Sequence, residues 1–272
     1  VNIPEFELTV AEDLDHAATL VAEEAIPYCG GTELLAAMGL GLMRPERLVS
    51  IRRLPELAGV AVADGVLRIG ATVTHRELTR HSAVRAAAPL LSEVADQVGN
   101  IRVRVTGTIG GNLAFGEPRS DISSTLIALN ATLVVFSAAG GYRRVAAHQF
   151  IRGSFETDLG AGELLVAVEV PAGGTDVGVY RRVAFAERPV VAVAVARSAA
   201  SGRWRVVVGA VGEVPFRVEL AELDDADPAG IVGQIEMTAD LSGSESYKQR
   251  LTEVTIIRAV EQAQRQATAR SA

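Results

Sequence analysis

Gly107-Thr108-Ile109-Gly110-Gly111-Asn112 is the stretch on which the reading of this chain turns, and Cys29-Gly30-Gly31-Thr32-Glu33, followed by Leu34, is its earlier counterpart. Each sets a glycine doublet beside an apolar segment. A residue without Cβ lets the main chain turn tightly and brings its N–H groups close to an anion. Two such turns can serve both phosphates of a dinucleotide, and Thr32, Thr108 and Asn112 add neutral donors beside them. Glycine doublets are common in ordinary turns, so neither one alone identifies a ligand. Their pairing points to a bound dinucleotide cofactor. Neither stretch has the G-x-G-x-x-G spacing and no G-x-x-x-x-G-K-[ST] occurs, which disfavours a nicotinamide Rossmann domain or a P-loop NTPase.

Composition narrows the remaining classes. The chain has 272 residues, 49% of them hydrophobic, enough to fill one large core or two to three small ones. Its formal charge of -7 gives no general attraction to nucleic acid or an anionic membrane, so neither is expected as a partner. The pairs Arg52-Arg53, Arg143-Arg144 and Arg181-Arg182 read first as surface or salt-bridging residues, with contact to an anionic ligand as the alternative. Cys29 is the only cysteine; it leaves no set for zinc or an iron–sulfur cluster, and any cluster is expected in another protein. Glu5 and Glu7 stand where a secretory signal would be basic, and no apolar run reaches membrane-spanning length. The expectation is a cytoplasmic protein.

Periodicity predicts an α+β chain in three parts. Residues 1–57 read as a small α/β unit: a strand over 6–10, a helix starting near Glu12-Asp13, a short helix after the first glycine doublet, and a strand over 48–51. Residues 58–174 open with a hairpin about Asp64-Gly65 and continue through apolar helical material to the second doublet. A helix over 121–129 follows, with Asp121 as its expected cap, and then strands over 133–136 and 164–170. Residues 175–272 give three strand candidates followed by helical material, ending in a helix over about 245–267, the order of an α+β unit.

The second doublet with Pro118 and Asp121 forms a more specific pattern than glycine content alone. With Gly30 through Met38, Leu48 through Ile51, Ile69-Gly70-Ala71-Thr72, Val103-Arg104, Gly162 through Leu165 and Tyr247 through Arg258, the chain resembles the FAD-binding medium subunit of the molybdenum hydroxylases. That group includes carbon monoxide dehydrogenase and the xanthine dehydrogenase flavin domain. The similarity runs over almost the whole chain. It implies a PCMH-type two-part FAD-binding region followed by a carbon monoxide dehydrogenase flavoprotein-like C-terminal α+β domain.

It also implies FAD as cofactor, held by Cys29, Gly30, Gly31, Thr32, Glu33, Leu34, Thr108, Ile109, Gly110, Gly111 and Asn112. Asp121 matches the family aspartate near the ribityl and flavin side, and Thr74, Leu164 and Arg182 fall near other expected contacts. Arg182 stands where lysine is common, and Cys29 where alanine is usual. Glu117-Pro118-Arg119 replaces an Asp-Pro-Ala found in some relatives. The partners implied are a molybdopterin-binding large subunit and a [2Fe-2S] small subunit, with the flavin passing electrons to NAD+, oxygen or another acceptor.

No acid–base or metal constellation competes with this reading. His16, His75, His81 and His148 are scattered and read as structural or surface residues, and Asp224-Asp225 with Asp227 as a solvated acidic patch. Ser242-Gly243-Ser244 reads as a loop and helix start. Tyr180, beside Arg181-Arg182, is divided between a structural place and one at the flavin. A freestanding FAD-dependent oxidase or dehydrogenase, and a non-catalytic flavin- or nucleotide-binding scaffold, remain the alternatives.

Overall fold

The computed structural model describes residues 3–271, and the elements follow the apolar periodicity closely. The first part is β1 (Glu7–Val10), α1 (Leu14–Ala22), β2 (Ile26–Tyr28), α2 (Leu34–Gly39) and β3 (Arg47–Ser50). Its three strands form a parallel sheet in the order β1-β3-β2. Asp13 caps α1 by accepting from the His16 N–H at 2.7 Å, which is why the helix starts where the acidic pair ends.

The second part contains β4 (Val60–Ala63), β5 (Val66–Gly70), α3 (His75–Arg80), α4 (Ser82–Ala87), α5 (Pro89–Ala95), α6 (Ile101–Thr106), α7 (Ile109–Phe115) and α8 (Asp121–Ala128). It continues with β6 (Thr132–Ser137), β7 (Gly141–Ala146), α9 (Ala147–Phe150), β8 (Ile151–Gly153), β9 (Glu156–Thr157) and β10 (Glu163–Pro171). Five of these strands form a sheet in the order β4-β5-β10-β6-β7. The β4–β5 hairpin turns through Asp64 and Gly65, both left-handed at φ 51° and 73°, the conformation of a type I′ turn.

The last part is β11 (Thr175–Ala184), β12 (Pro189–Ser198), β13 (Trp204–Gly209), β14 (Phe216–Leu220), α10 (Pro228–Val232) and α11 (Glu245–Ser271). The strands form an antiparallel sheet in chain order, and α11 lies across it. This is an α+β architecture.

Two apolar clusters join the sheets, and a third packs the last sheet against α10 and α11. Ala17 and Ala18 of α1 meet Val49 on one side and Val134, Phe136, Leu164 and Val166 on the other, so α1 is shared by the first two sheets. Helix α8 is buried along its whole length, and its cluster extends into Ala194, Ala196 and Val207 of the last sheet. Burying each valine, leucine or phenylalanine among them contributes about 1.5–3 kcal/mol, and each alanine less.

Two local expectations change. Ser120, not Asp121, caps α8 by accepting from the Ser123 N–H at 3.1 Å; Asp121 is the first helical residue, and its carboxylate turns to Tyr180 and Arg182. The Gly110-Gly111 doublet is not a turn. It forms the first turn of α7, with Thr108 as the cap.

Candidate functional site

The two glycine motifs meet at one cavity, and the backbone contact that joins them explains Gly30. A Cβ there would lie 2.0 Å from the carbonyl oxygen of Thr106, so the first motif rests directly on the end of α6. Gly31 is left-handed at φ 69°, and a Cβ on it would meet the Tyr28 ring at 2.6 Å. Gly110 is required for a similar reason: its Cβ would lie 2.5 Å from that of Ala71. Gly111 differs from these three. Beyond its chain neighbours and its own helix's backbone, a Cβ there would meet only the Thr108 hydroxyl, at 3.0 Å. Its missing side chain is space on the cavity side.

The amides of the two motifs are also unequal. In the second, Ile109 N–H donates to Val73 O at 3.0 Å, Gly110 N–H to Ala71 O at 2.9 Å, Gly111 N–H to Thr108 Oγ1 at 3.1 Å and Asn112 N–H to Thr108 O at 2.9 Å. All four are occupied by the fold itself. In the first, the N–H groups of Gly31, Thr32, Glu33 and Leu34 have no acceptor among the described residues. The expectation that both doublets offer backbone donors therefore holds for one motif. The other offers the hydroxyl of Thr108, the Asn112 side chain and the open space at Gly111.

The cavity between them measures about 330 Å³, within the range of small-molecule sites. Eleven of the residues singled out in the sequence line it: Cys29, Gly30, Gly31, Thr32, Glu33, Leu34, Thr108, Gly110, Gly111, Asn112 and Leu164. Ile26, Met43, Val98 and Phe115 supply apolar wall that sequence reading did not single out, because their approach depends on tertiary packing.

Four singled-out residues stand elsewhere. Ile109 is fully buried in the core. Thr74 caps α3 in a reciprocal box with Glu77, accepting from the Glu77 N–H while the Glu77 carboxylate accepts from the Thr74 N–H at 2.7 Å. Asp121 and Arg182 are brought together, Arg182 Nη1 lying 3.0 Å from Asp121 Oδ2, but neither lines the cavity. Tyr180 donates its hydroxyl to the other oxygen of Asp121. Burial pushes the Asp121 carboxyl up against the lowering effect of those two partners, and burial, then the neighbouring carboxylate, pushes the Tyr180 phenol well up. Tyr180 stays a neutral donor.

His75 is the lining residue that the sequence assigned only to structure or surface. It is 2% exposed, and its Nδ1 has no hydrogen-bond partner. Burial, reinforced by the Arg104 guanidinium, lowers its pKa to about 4, so the ring is neutral at neutral pH. The Thr74-x-x-Glu77 box was the available signal, since it sets His75 on the first turn of a helix facing Gly107. Cys29 is held as a thiol, because burial raises its pKa more than Thr108, Arg52 and the Gly30 amide lower it.

An ion-pair network closes one side. Arg188, in the β11–β12 turn, pairs with Glu33 at 2.6 Å and with the buried Glu117, which also holds Arg119 at 3.1 Å. Glu33 is thus a bridging residue of the wall. No group of metal-ligating side chains occurs among the described residues, and no described helix is long and apolar enough to cross a membrane. Free amides, neutral hydroxyl and amide side chains, a neutral imidazole and apolar walls suit an anionic dinucleotide with an aromatic portion. The open space at Gly111 and the free amides of Gly31 to Leu34 fit such a ligand.

The family described as the FAD binding domain in molybdopterin dehydrogenase matches residues 4–187. Over 274 aligned residues the chain is 31% identical to the glyceraldehyde dehydrogenase medium chain of Sulfolobus acidocaldarius, covering 94% of this chain and 97% of that one. A chain of the carbon monoxide dehydrogenase of Hydrogenophaga pseudoflava, in a form lacking the Mo-pyranopterin moiety of its cofactor, superposes with a TM-score of 0.91. The identity is 28%, with 98% of this chain and 99% of that one covered. Quinoline 2-oxidoreductase from Pseudomonas putida 86 gives a TM-score of 0.86 at 28% identity, covering 97% and 98%.

Proposed function

Because the chain belongs to the family of FAD-binding domains of molybdopterin dehydrogenases, with FAD as its cofactor, we propose that it relays electrons from an iron–sulfur partner to a diffusible acceptor such as NAD+ or oxygen. A separate molybdopterin-binding large subunit oxidises the organic substrate, and a [2Fe-2S] small subunit connects the two. The assembly works in the cytoplasm. Relatives named as a medium chain of glyceraldehyde dehydrogenase and as subunit beta of caffeine dehydrogenase support the division of labour. So does the absence from this chain of more than one cysteine to ligate a cluster.

The observation that carries the reading is the convergence of both glycine motifs on one cavity, with the amides of Gly31 to Leu34 free. When bound, FAD supplies the electron-accepting and electron-donating chemistry. The Gly31–Leu34 amides, which have no acceptor among the described residues, would hold the diphosphate as backbone donors. Thr108 and Asn112 offer side-chain hydrogen bonds, and Gly111 leaves room for close approach. Leu164, Val98 and Phe115 exclude water from the apolar portion. Asp121, outside the cavity lining, acts through Tyr180 and Arg182 by fixing the last sheet against α8.

Reduction assays on the isolated chain and on the reconstituted complex test the proposal. Loaded with FAD, the chain alone is expected to accept electrons from an artificial donor and to hydroxylate nothing. Substrate-dependent flavin reduction is expected only when the molybdopterin and iron–sulfur proteins are added. Rapid turnover of an organic substrate by the chain alone would replace this account with a freestanding flavoenzyme.

A further inference from the structure

Two acidic residues line the cavity, Glu33 and Glu163, and each has its carboxylate covered by a guanidinium. Arg143 grips Glu163 with two parallel bonds, Nε donating at 2.6 Å and Nη2 at 2.5 Å. Arg188 donates to Glu33 from Nη2 at 2.6 Å. A cavity wall that receives an anion gains from such cover, because a bare carboxylate repels the ligand. The Glu33 pair bears most directly on the diphosphate cradle, since Glu33 also supplies one of its free amides.

Covalent geometry keeps a glutamate carboxylate within about 6 Å of its own amide nitrogen. An anion accepting from that amide, at about 3 Å, then stands no more than about 9 Å from the carboxylate. That is inside the screening length of about 10 Å at 0.1 M salt, so the repulsion is felt. Arg188 reaches Glu33 across 155 residues of sequence, from the β11–β12 turn, and is aimed by a second carboxylate. Its Nη1 bonds to the buried Glu117, which also holds Arg119 at 3.1 Å. Two guanidiniums thus balance two carboxylates. Loss of Arg188 leaves these groups with one negative charge in excess, and loss of the Glu33 charge leaves them with one positive.

We propose that Arg188 is a positioning residue for FAD: it cancels the Glu33 carboxylate beside the diphosphate cradle and so lets the first glycine motif receive an anion. This rests on the reading of the cavity as the FAD site. It makes cofactor affinity depend on a turn of the last sheet, through a residue that does not itself line the cavity.

The test is equilibrium titration of apoprotein with FAD by flavin fluorescence, for wild type, Arg188→Gln, Glu33→Gln and the double variant. Arg188→Gln is expected to weaken FAD binding about tenfold, an effect held to that size because Arg188 and Glu33 are both partly exposed. Glu33→Gln breaks the same ion pair and yet is expected to bind about threefold tighter than wild type, as a local positive charge is left over. The double variant is expected to return to within about threefold of wild type. Raising NaCl from about 0.1 to about 1 M shortens the screening length from about 10 to about 3 Å, and should reduce the Arg188→Gln deficit to less than about threefold.

A purely structural bridge would fail alike from either end. Glu33→Gln binding FAD no tighter than wild type, a double variant no better than Arg188→Gln, or a deficit that salt leaves unchanged therefore overturns the assignment. If Arg188→Gln does not fold, Glu33→Gln decides alone. A wild-type chain that binds no FAD overturns the cavity reading and this inference with it, whereas wild-type binding with indifferent variants removes Arg188 only.

Discussion

The Gly111 amide donates to the Thr108 hydroxyl across 3.1 Å, so the second glycine motif is a capped helix start whose donors are already used. Thr108 therefore carries a structural duty beside its place on the cavity wall. Thr108→Val is expected to cost about 1–2 kcal/mol of apoprotein stability, the value of a lost N-cap, and Thr108→Ser to recover most of it. Urea denaturation of the apoproteins checks this; equal stability of Val and Ser variants would count against the cap.

Arg188 joins the first motif to the last sheet through Glu33 and Glu117. Its partner Glu117 is 7% exposed, so the loss of Arg188 leaves a buried carboxylate with Arg119 alone. Arg188→Ala is expected to cost about 1–2 kcal/mol, held down because Arg188 is itself partly exposed. Arg188→Lys should recover little, since an ammonium cannot span two carboxylates as a planar guanidinium does. A lysine variant as stable as wild type would remove the bridging role.

His75 gives apoprotein stability a defined pH dependence. The folded ring takes a proton only near pH 4, whereas an unfolded histidine takes one near 6.5. Between those values the unfolded state binds more protons, so stability is complete above 6.5 and falls as pH drops toward 4, by up to about 3 kcal/mol from this group. Relative to wild type, His75→Leu apoprotein should become progressively more stable as pH falls through that window. Denaturation curves between pH 7.5 and 4.5 measure the difference; a constant gap would mean that the ring titrates in the fold as it does in the unfolded chain.

Much of this was legible from local chemistry. Asp64-Gly65 announced its hairpin because both positions need positive φ, and Asp13 announced α1 because its carboxylate satisfies an orphan amide. The second doublet misled, because glycine in a first helical turn and glycine in a loop look alike until Thr108 is seen capping Gly111. Asp121 misled as well. Ser120 and Asp121 are both good caps, and the choice between them depends on Tyr180 and Arg182, some 60 residues away, drawing the carboxylate aside. His75 was passed over because the Thr74-x-x-Glu77 box places it at a helix start without telling a satisfied core histidine from an unsatisfied one.

The most direct test of the account is titration of wild-type and Gly111→Val apoproteins with FAD. Gly111 lies in a helix, where valine is no worse a residue than glycine, so the variant should fold. Its new side chain would occupy the open cavity side, as beyond its chain neighbours and the backbone of α7 only the Thr108 hydroxyl stands within 4 Å of the Cβ position. Gly202→Ala, in an exposed turn with nothing within 4 Å, is the control. The account predicts one FAD per wild-type and control chain and at least about a hundredfold weaker binding by folded Gly111→Val, on the order of 3 kcal/mol. Equal FAD affinity in folded wild type and Gly111→Val would place the cofactor somewhere other than the cavity between the two motifs.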